Sequence, residues 1–114
     1  MSKKVLVMDD SPSIRMQVSL LLTQGGYEAV EAQDGLEALD KRTGCSMAIC
    51  DVNMPRMNGI EFAERAAGSM PVVMLTTEGN PELIARAKKA GAKGWLVKPF
   101  KPEQLLSVVK KVVG

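Results

Sequence analysis

The stretch Ser46-Met47-Ala48-Ile49-Cys50-Asp51-Val52-Asn53-Met54-Pro55 decides the fold, because an apolar run ends there in a carboxylate and then in a proline-marked loop. A short, almost continuous apolar run between polar residues predicts a strand buried on both faces. In sheets covered that way, chemistry collects just past the strands' carboxyl ends. Asp51 stands at such an end. Taken alone, an Asp after a strand is ordinarily a cap or turn residue, so its meaning depends on what the other strands carry at theirs.

Working outward, Val5-Leu6-Val7-Met8 is a second apolar run and ends in Asp9-Asp10. Ser11 and Pro12 supply the N-cap and first position of a helix whose Ile14, Val18, Leu21 and Leu22 recur at helical spacing, and Gly25-Gly26 closes it. Tyr27 to Ala32 predicts a second strand. Asp34 caps a short helix that runs through Ala38 and Leu39 and stops near Gly44. Beyond the opening stretch, Asn58 or Gly59 starts a third helix with Ile60, Phe62, Ala63, Ala66 and Ala67 inward, ending at Gly68. Pro71-Val72-Val73-Met74-Leu75 predicts a fourth strand that closes on Thr76-Thr77. Asn80 caps and Pro81 begins a fourth helix with Leu83, Ile84, Ala87 and Ala90 inward, stopped by Gly91. Trp95-Leu96-Val97 forms the core of a fifth strand, which ends in Lys98 before Pro99-Phe100. Pro102 opens a fifth helix, with Leu105, Leu106, Val109, Val112 and Val113 facing the core.

Strand and helix thus alternate five times over 114 residues, with connections suited to parallel crossovers. The expectation is a single α/β domain over residues 1–114: a doubly wound parallel sheet of five strands with five helices on its two faces, linked by right-handed crossovers. Every strand then points its carboxyl end the same way, so Asp9-Asp10, Asp51, Thr76 and Lys98 share one rim.

Lys plus Arg number 15 and Asp plus Glu 13, a net charge of +2 that is too mild to imply nucleic-acid binding. The chain has no histidine, which excludes His-based catalysis and His-ligated metals. Cys45 and Cys50 match no zinc spacing, and Cys50 reads as a small buried hydrophobe. Only four apolar residues follow Met1-Ser2-Lys3-Lys4 before two aspartates, so neither a signal peptide nor a membrane span is expected. A reduced, cytoplasmic protein is expected.

Carboxylates gathered on one rim repel, and protonation, a basic partner or a divalent cation relieves them. Oxygen donors without His or Cys suit a hard ion such as Mg²⁺. Lys98 offers a compact positive charge for a phosphate oxygen and Thr76 a hydroxyl for another. An Asp can itself be the phosphoryl nucleophile. Asp51, single and central, suits that role, whereas the adjacent pair Asp9-Asp10 suits metal holding.

Asp9-Asp10-Ser11, Asp51-x-Asn53-Met54-Pro55-x-Met57-x-Gly59, Thr76 and Lys98-Pro99-Phe100 together resemble the receiver domain of bacterial response regulators, in particular stand-alone chemotaxis-type regulators, over essentially the full length. The resemblance implies a flavodoxin-like sheet of order 2-1-3-4-5. It implies that Asp51 is the phosphoacceptor for a histidine kinase, with Mg²⁺ held directly by Asp10, Asp51 and the main-chain carbonyl of Asn53 and through water by Asp9. Thr76 and Lys98 would meet the phosphoryl group, Trp95 would turn inward as a switch, and Pro99 would follow a cis bond. Asn53, Thr77 and Glu78 would modulate the site. Thr77 is bulkier than the Ala or Gly common there, and Trp95 stands where Tyr or Phe is usual. Activation would change the surface of the fourth helix, fifth strand and fifth helix, where Arg86, Lys88, Lys89, Lys93 and Lys101 cluster, and so control a protein target. The flagellar motor switch is the candidate target, and a phosphatase is a further candidate partner. The chain is expected to be a monomer without DNA or membrane binding, and a phosphoacceptor rather than an enzyme.

Four other readings compete. A haloacid-dehalogenase-type phosphatase also uses a strand-end Asp, Mg²⁺, Thr and Lys, but needs a second Asp where this chain has Asn53. Dinucleotide binding fails because no glycine-rich turn follows the first strand. A phosphorelay intermediate and a receiver cut from a larger regulator are the alternatives within the family.

Overall fold

The computed structural model describes residues 3–9, 11–51, 64–65, 70–76, 81–98 and 100–113. Within them lie β1 (Lys4–Met8), α1 (Pro12–Gln24), β2 (Glu28–Ala32), α2 (Gly35–Lys41), β3 (Met47–Asp51), β4 (Val72–Thr76), α3 (Pro81–Lys89), β5 (Ala92–Val97) and α4 (Pro102–Val113). The strands form one parallel sheet in the order β2-β1-β3-β4-β5. The sheet and its order match expectation. The number of helices does not: four are present among the described residues, not five. The third expected helix falls largely outside those residues. Of that stretch only Glu64 and Arg65 are described, both helical, and two residues are less than one turn of about 3.6. The fourth and fifth expected helices are therefore α3 and α4.

Local chemistry sets the boundaries. Ser11 is the N-cap of α1, its Oγ accepting from the Ile14 N–H, with Pro12 in the first turn. The helix ends at Gly25, and Gly26 then takes φ 91°, a left-handed conformation that costs a glycine nothing. Asp34 caps α2 by accepting from the Glu37 N–H. Gly91, at φ 101°, turns the chain out of α3 into β5. The β4–β5 register slips between Val72 and Val73, so Val72 faces Ala92 but Val73 faces Gly94. At the β2 edge, the Lys41 ammonium donates to the Glu31 main-chain carbonyl at 2.8 Å and to Glu37 Oε1 at 2.8 Å.

Side-chain alternation along the strands divides the core in two. Val5, Val7, Met47, Ile49, Val73, Leu75 and Leu96 pack against Val18 and Leu22 of α1 and Leu105 and Val109 of α4. Leu6, Met8, Ala48, Cys50, Val72 and Met74 pack against Ala38 of α2 and Ala87 of α3. Both faces of β3 are thus sealed, which is why it reads as an unbroken apolar run. Met8, Met47 and Met74 are fully buried core filler, whereas Met16 and Leu20 are exposed on α1.

Leu22→Ala should lower stability by about 3 kcal/mol in urea denaturation, through lost burial and the cavity left behind. Gly26→Ala should cost about 1 kcal/mol through backbone conformation alone, since an added Cβ meets nothing within 4 Å.

Candidate functional site

The alternation that builds the α1/α4 side of the core also aims the strand ends. Asp9 follows Val5 and Val7 in parity, Asp51 follows Met47 and Ile49, and Lys98 follows Leu96. All three side chains therefore emerge on the same side of the sheet, at the same rim. There the Lys98 Nζ lies 2.9 Å from Asp9 Oδ2 and 3.6 Å from Asp51 Oδ2. The carboxylates are almost closed to water, Asp9 at 1% and Asp51 at 7% exposure. Two buried negative charges this close repel, and a shared ammonium offsets part of that repulsion.

Asp9 is held at every polar atom. Its N–H donates to the Ala32 carbonyl at 3.2 Å and its own carbonyl accepts from Arg15 Nη1 at 2.6 Å. Oδ1 accepts from the Ser11 N–H at 2.9 Å, and Oδ2 accepts from Lys98. Arg15 also reaches Glu31 Oε1 with its Nε at 3.4 Å. Sequence reasoning singled out Asp9, Asp51 and Lys98 but missed Arg15, which looks like one more solvated charge on α1. An Arg one helical turn beyond the cap, close in sequence to paired acids, was the available signal.

The other anticipated residues are distributed differently. Asp10, Asn53, Thr77, Glu78 and Pro99 lie outside the described residues. Thr76 is the last residue of β4, in register with Val97. Trp95 is on the opposite face, packed against the α2/α3 side of the core, and its buried indole N–H has no hydrogen-bond partner among the described residues. Beside it a cleft of about 100 Å³ is lined by Ile84, Ala87, Lys88 and Gly94. Arg86, Lys88, Lys89, Lys93 and Lys101 are all exposed.

Among the described residues no three His, Cys, Asp or Glu side chains converge closely enough to hold a metal by themselves. The donor chemistry of Asp9 and Asp51 nevertheless fits a hard cation: both offer carboxylate oxygens only, from fixed strand ends, with more negative charge than Lys98 balances. No helix among the described residues is long and apolar enough to cross a membrane.

A parallel 2-1-3-4-5 sheet with acids and a lysine at one rim defines a class, and comparison with known proteins agrees. Residues 5–110 match the response regulator receiver domain, and the chain belongs to that family. It is 40% identical to a chemotaxis protein CheY homolog of Campylobacter jejuni, covering 97% of this chain and 92% of that protein. Chemotaxis protein CheY1 of Helicobacter pylori is 38% identical, with 97% of each chain covered. The structure of chemotaxis protein CheY4 of Vibrio cholerae superposes with a TM-score of 0.92 at 47% identity, covering 98% of this chain and 99% of that one. This chain is a phosphorylation-activated receiver of the two-component, chemotaxis-regulator type, a phosphoacceptor signalling protein rather than a classical enzyme. Receivers of this type use Mg²⁺ and work between histidine kinases and downstream targets.

The two thiols differ chiefly in burial. Burial, followed by the neighbouring Asp51 charge, pushes the Cys50 thiol well above its usual 9.0. Burial also raises Cys45, partly opposed by Lys4. Because the thiolate is the reactive form, a raised pKa means slower modification at neutral pH. The native chain should therefore release one equivalent of chromophore from a disulfide reagent, through Cys45, faster as pH rises towards and past 9.0. Cys50 should react only after denaturation.

Proposed function

We propose that residues 1–114 act as one cytoplasmic receiver domain whose Asp51 accepts a phosphoryl group from a phosphohistidine on a histidine kinase. The observation that carries this reading is the Lys98 ammonium set between two buried carboxylates, 2.9 Å from Asp9 and 3.6 Å from Asp51. An Asp51 carboxylate oxygen attacks phosphorus; the P–N bond breaks, the imidazole leaves and takes up a proton, and the new P–O bond makes an acyl phosphate. Bound Mg²⁺ supplies neutralising charge for the approach of two anions. Asp9, Asp10, Asp51 and the Asn53 carbonyl are its proposed protein ligands, Asp9 acting through water. Lys98 is near enough to exchange Asp9 for a phosphoryl oxygen with a small swing of its stem, and Thr76 supplies a hydroxyl.

The consequence is a two-state switch. New charge and acceptor oxygens at Asp51 compete for Lys98 and Thr76, and the adjustment reaches Trp95 across β4 and β5. The cleft beside Trp95, and an indole N–H without a hydrogen-bond partner among the described residues, support a ring that can change place. Asn53, Thr77 and Glu78 tune how fast the acyl phosphate forms and decays. The exposed Arg86, Lys88, Lys89 and Lys93 on α3 and β5, with Lys101 before α4, suit a protein target with acidic groups. Its relatives are named chemotaxis proteins, so the flagellar motor switch is the proposed target, with a phosphatase as a further partner.

Asp51→Asn should abolish Mg²⁺-dependent labelling by a radioactive small acyl phosphate; robust labelling of that variant would overturn the assignment. Beryllofluoride with Mg²⁺ should shift the emission of Trp95, the single tryptophan. Unchanged emission would count against its movement.

A further inference from the structure

We infer that Arg15 is a positioning residue for the cation site: it acts through the main-chain carbonyl of Asp9 and is itself aimed by Glu31. The inference rests on the reading of Asp9 and Asp51 as cation-holding carboxylates. The Arg15 Nη1 donates to the Asp9 carbonyl at 2.6 Å while its Nε faces Glu31 Oε1 at 3.4 Å. Its side chain is 17% exposed against 47% for Glu31, so the guanidinium is drawn inward and the carboxylate sits at the solvent boundary. This is not an ordinary surface ion pair.

The peptide unit is planar, so fixing the direction of the Asp9 carbonyl fixes the peptide plane on the C-terminal side of Asp9. The Asp9 N–H is already tied to the Ala32 carbonyl at the end of β2. Glu31, one residue earlier on β2, holds the guanidinium that takes the carbonyl. The two grips come from the same strand end and clamp the backbone on which Asp9 is mounted. Only a planar fork with diverging N–H groups serves both Asp9 and Glu31; a lysine ammonium retains the charge without that geometry.

Charge alone makes the opposite prediction. A nearby guanidinium disfavours a bound cation, so if Arg15 acted simply by its field, its removal would tighten Mg²⁺ binding. If it positions Asp9, removal weakens binding despite the more negative site. Loss of an outer-shell partner of a direct metal ligand costs about 10- to 100-fold in affinity, and Arg15, which acts on a carboxylate that holds the cation through water, stands at the lower end of that range.

The experiment is calorimetric titration of the whole chain with Mg²⁺ alone, with urea midpoints measured in chelator to separate stability from affinity. Arg15→Ala should bind Mg²⁺ about 10-fold more weakly. Arg15→Lys should also lose affinity, and Glu31→Ala, at an exposed position, should lose roughly threefold because Arg15 remains but is no longer aimed. Arg15→Ala binding as tightly as the unaltered chain, or more tightly, while Asp51→Asn loses binding, would overturn the role of Arg15 and leave the site reading intact. Absence of Mg²⁺ binding to the unaltered chain would overturn both. Should Arg15→Ala fail to fold, Arg15→Lys and Glu31→Ala decide the matter: unchanged affinity in both would reject the clamp.

Discussion

The functional rim turns on an ammonium group shared by two carboxylates that water barely reaches. Breaking a buried ion pair by removing one partner costs about 3–5 kcal/mol, a large share of the roughly 5–15 kcal/mol that keeps a domain folded. The sheet can end in acid at both β1 and β3 because Lys98 arrives from β5 to stand between Asp9 and Asp51. Among the described residues, two carboxylates face this one ammonium. A resting structure balanced this way is receptive to any ligand that re-sorts the charges, and both a divalent cation and a phosphoryl group do so.

The two faces of the sheet divide the work. Asp9, Asp51 and Lys98 belong by parity to the side covered by α1 and α4, while Trp95 belongs to the side covered by α2 and α3. Between them run β4 and β5, where strand pairing slips by one residue at Lys93. A slip of that kind bends a strand and loosens its ladder locally. It lies at the opposite end of β5 from Lys98, so the rim is held in regular register while the entry to the strand is not.

Much of this was legible in the sequence because the signals were redundant. Apolar runs closed by acid or lysine marked strand ends, Ser11-Pro12 and Pro81 marked helix starts, and period-two alternation then sent Asp9, Asp51 and Lys98 to one place. What stayed hidden was tertiary. Five helices were expected and four are found among the described residues, since the stretch from Asn58 to Gly68 has only Glu64 and Arg65 within them. The first of its large apolar anchors, Ile60, and the second, Phe62, had carried that expectation beside small alanines. Arg15 escaped notice because its function depends on a carbonyl, which no side-chain pattern reports. The start of β5 at Ala92, earlier than its Trp95-Leu96-Val97 core, reflects pairing with Val72 and a slip that propensity does not encode.

The Lys41 contact at the β2 edge carries its own consequence. β2 is a terminal strand of the sheet, and its outward carbonyl at Glu31 is already taken by the Lys41 ammonium, which Glu37 steadies. An incoming strand from another molecule would need that acceptor, and would also have to bury a charge to reach it. The β2 margin of the sheet is thereby made a poorer template for strand addition at Glu31.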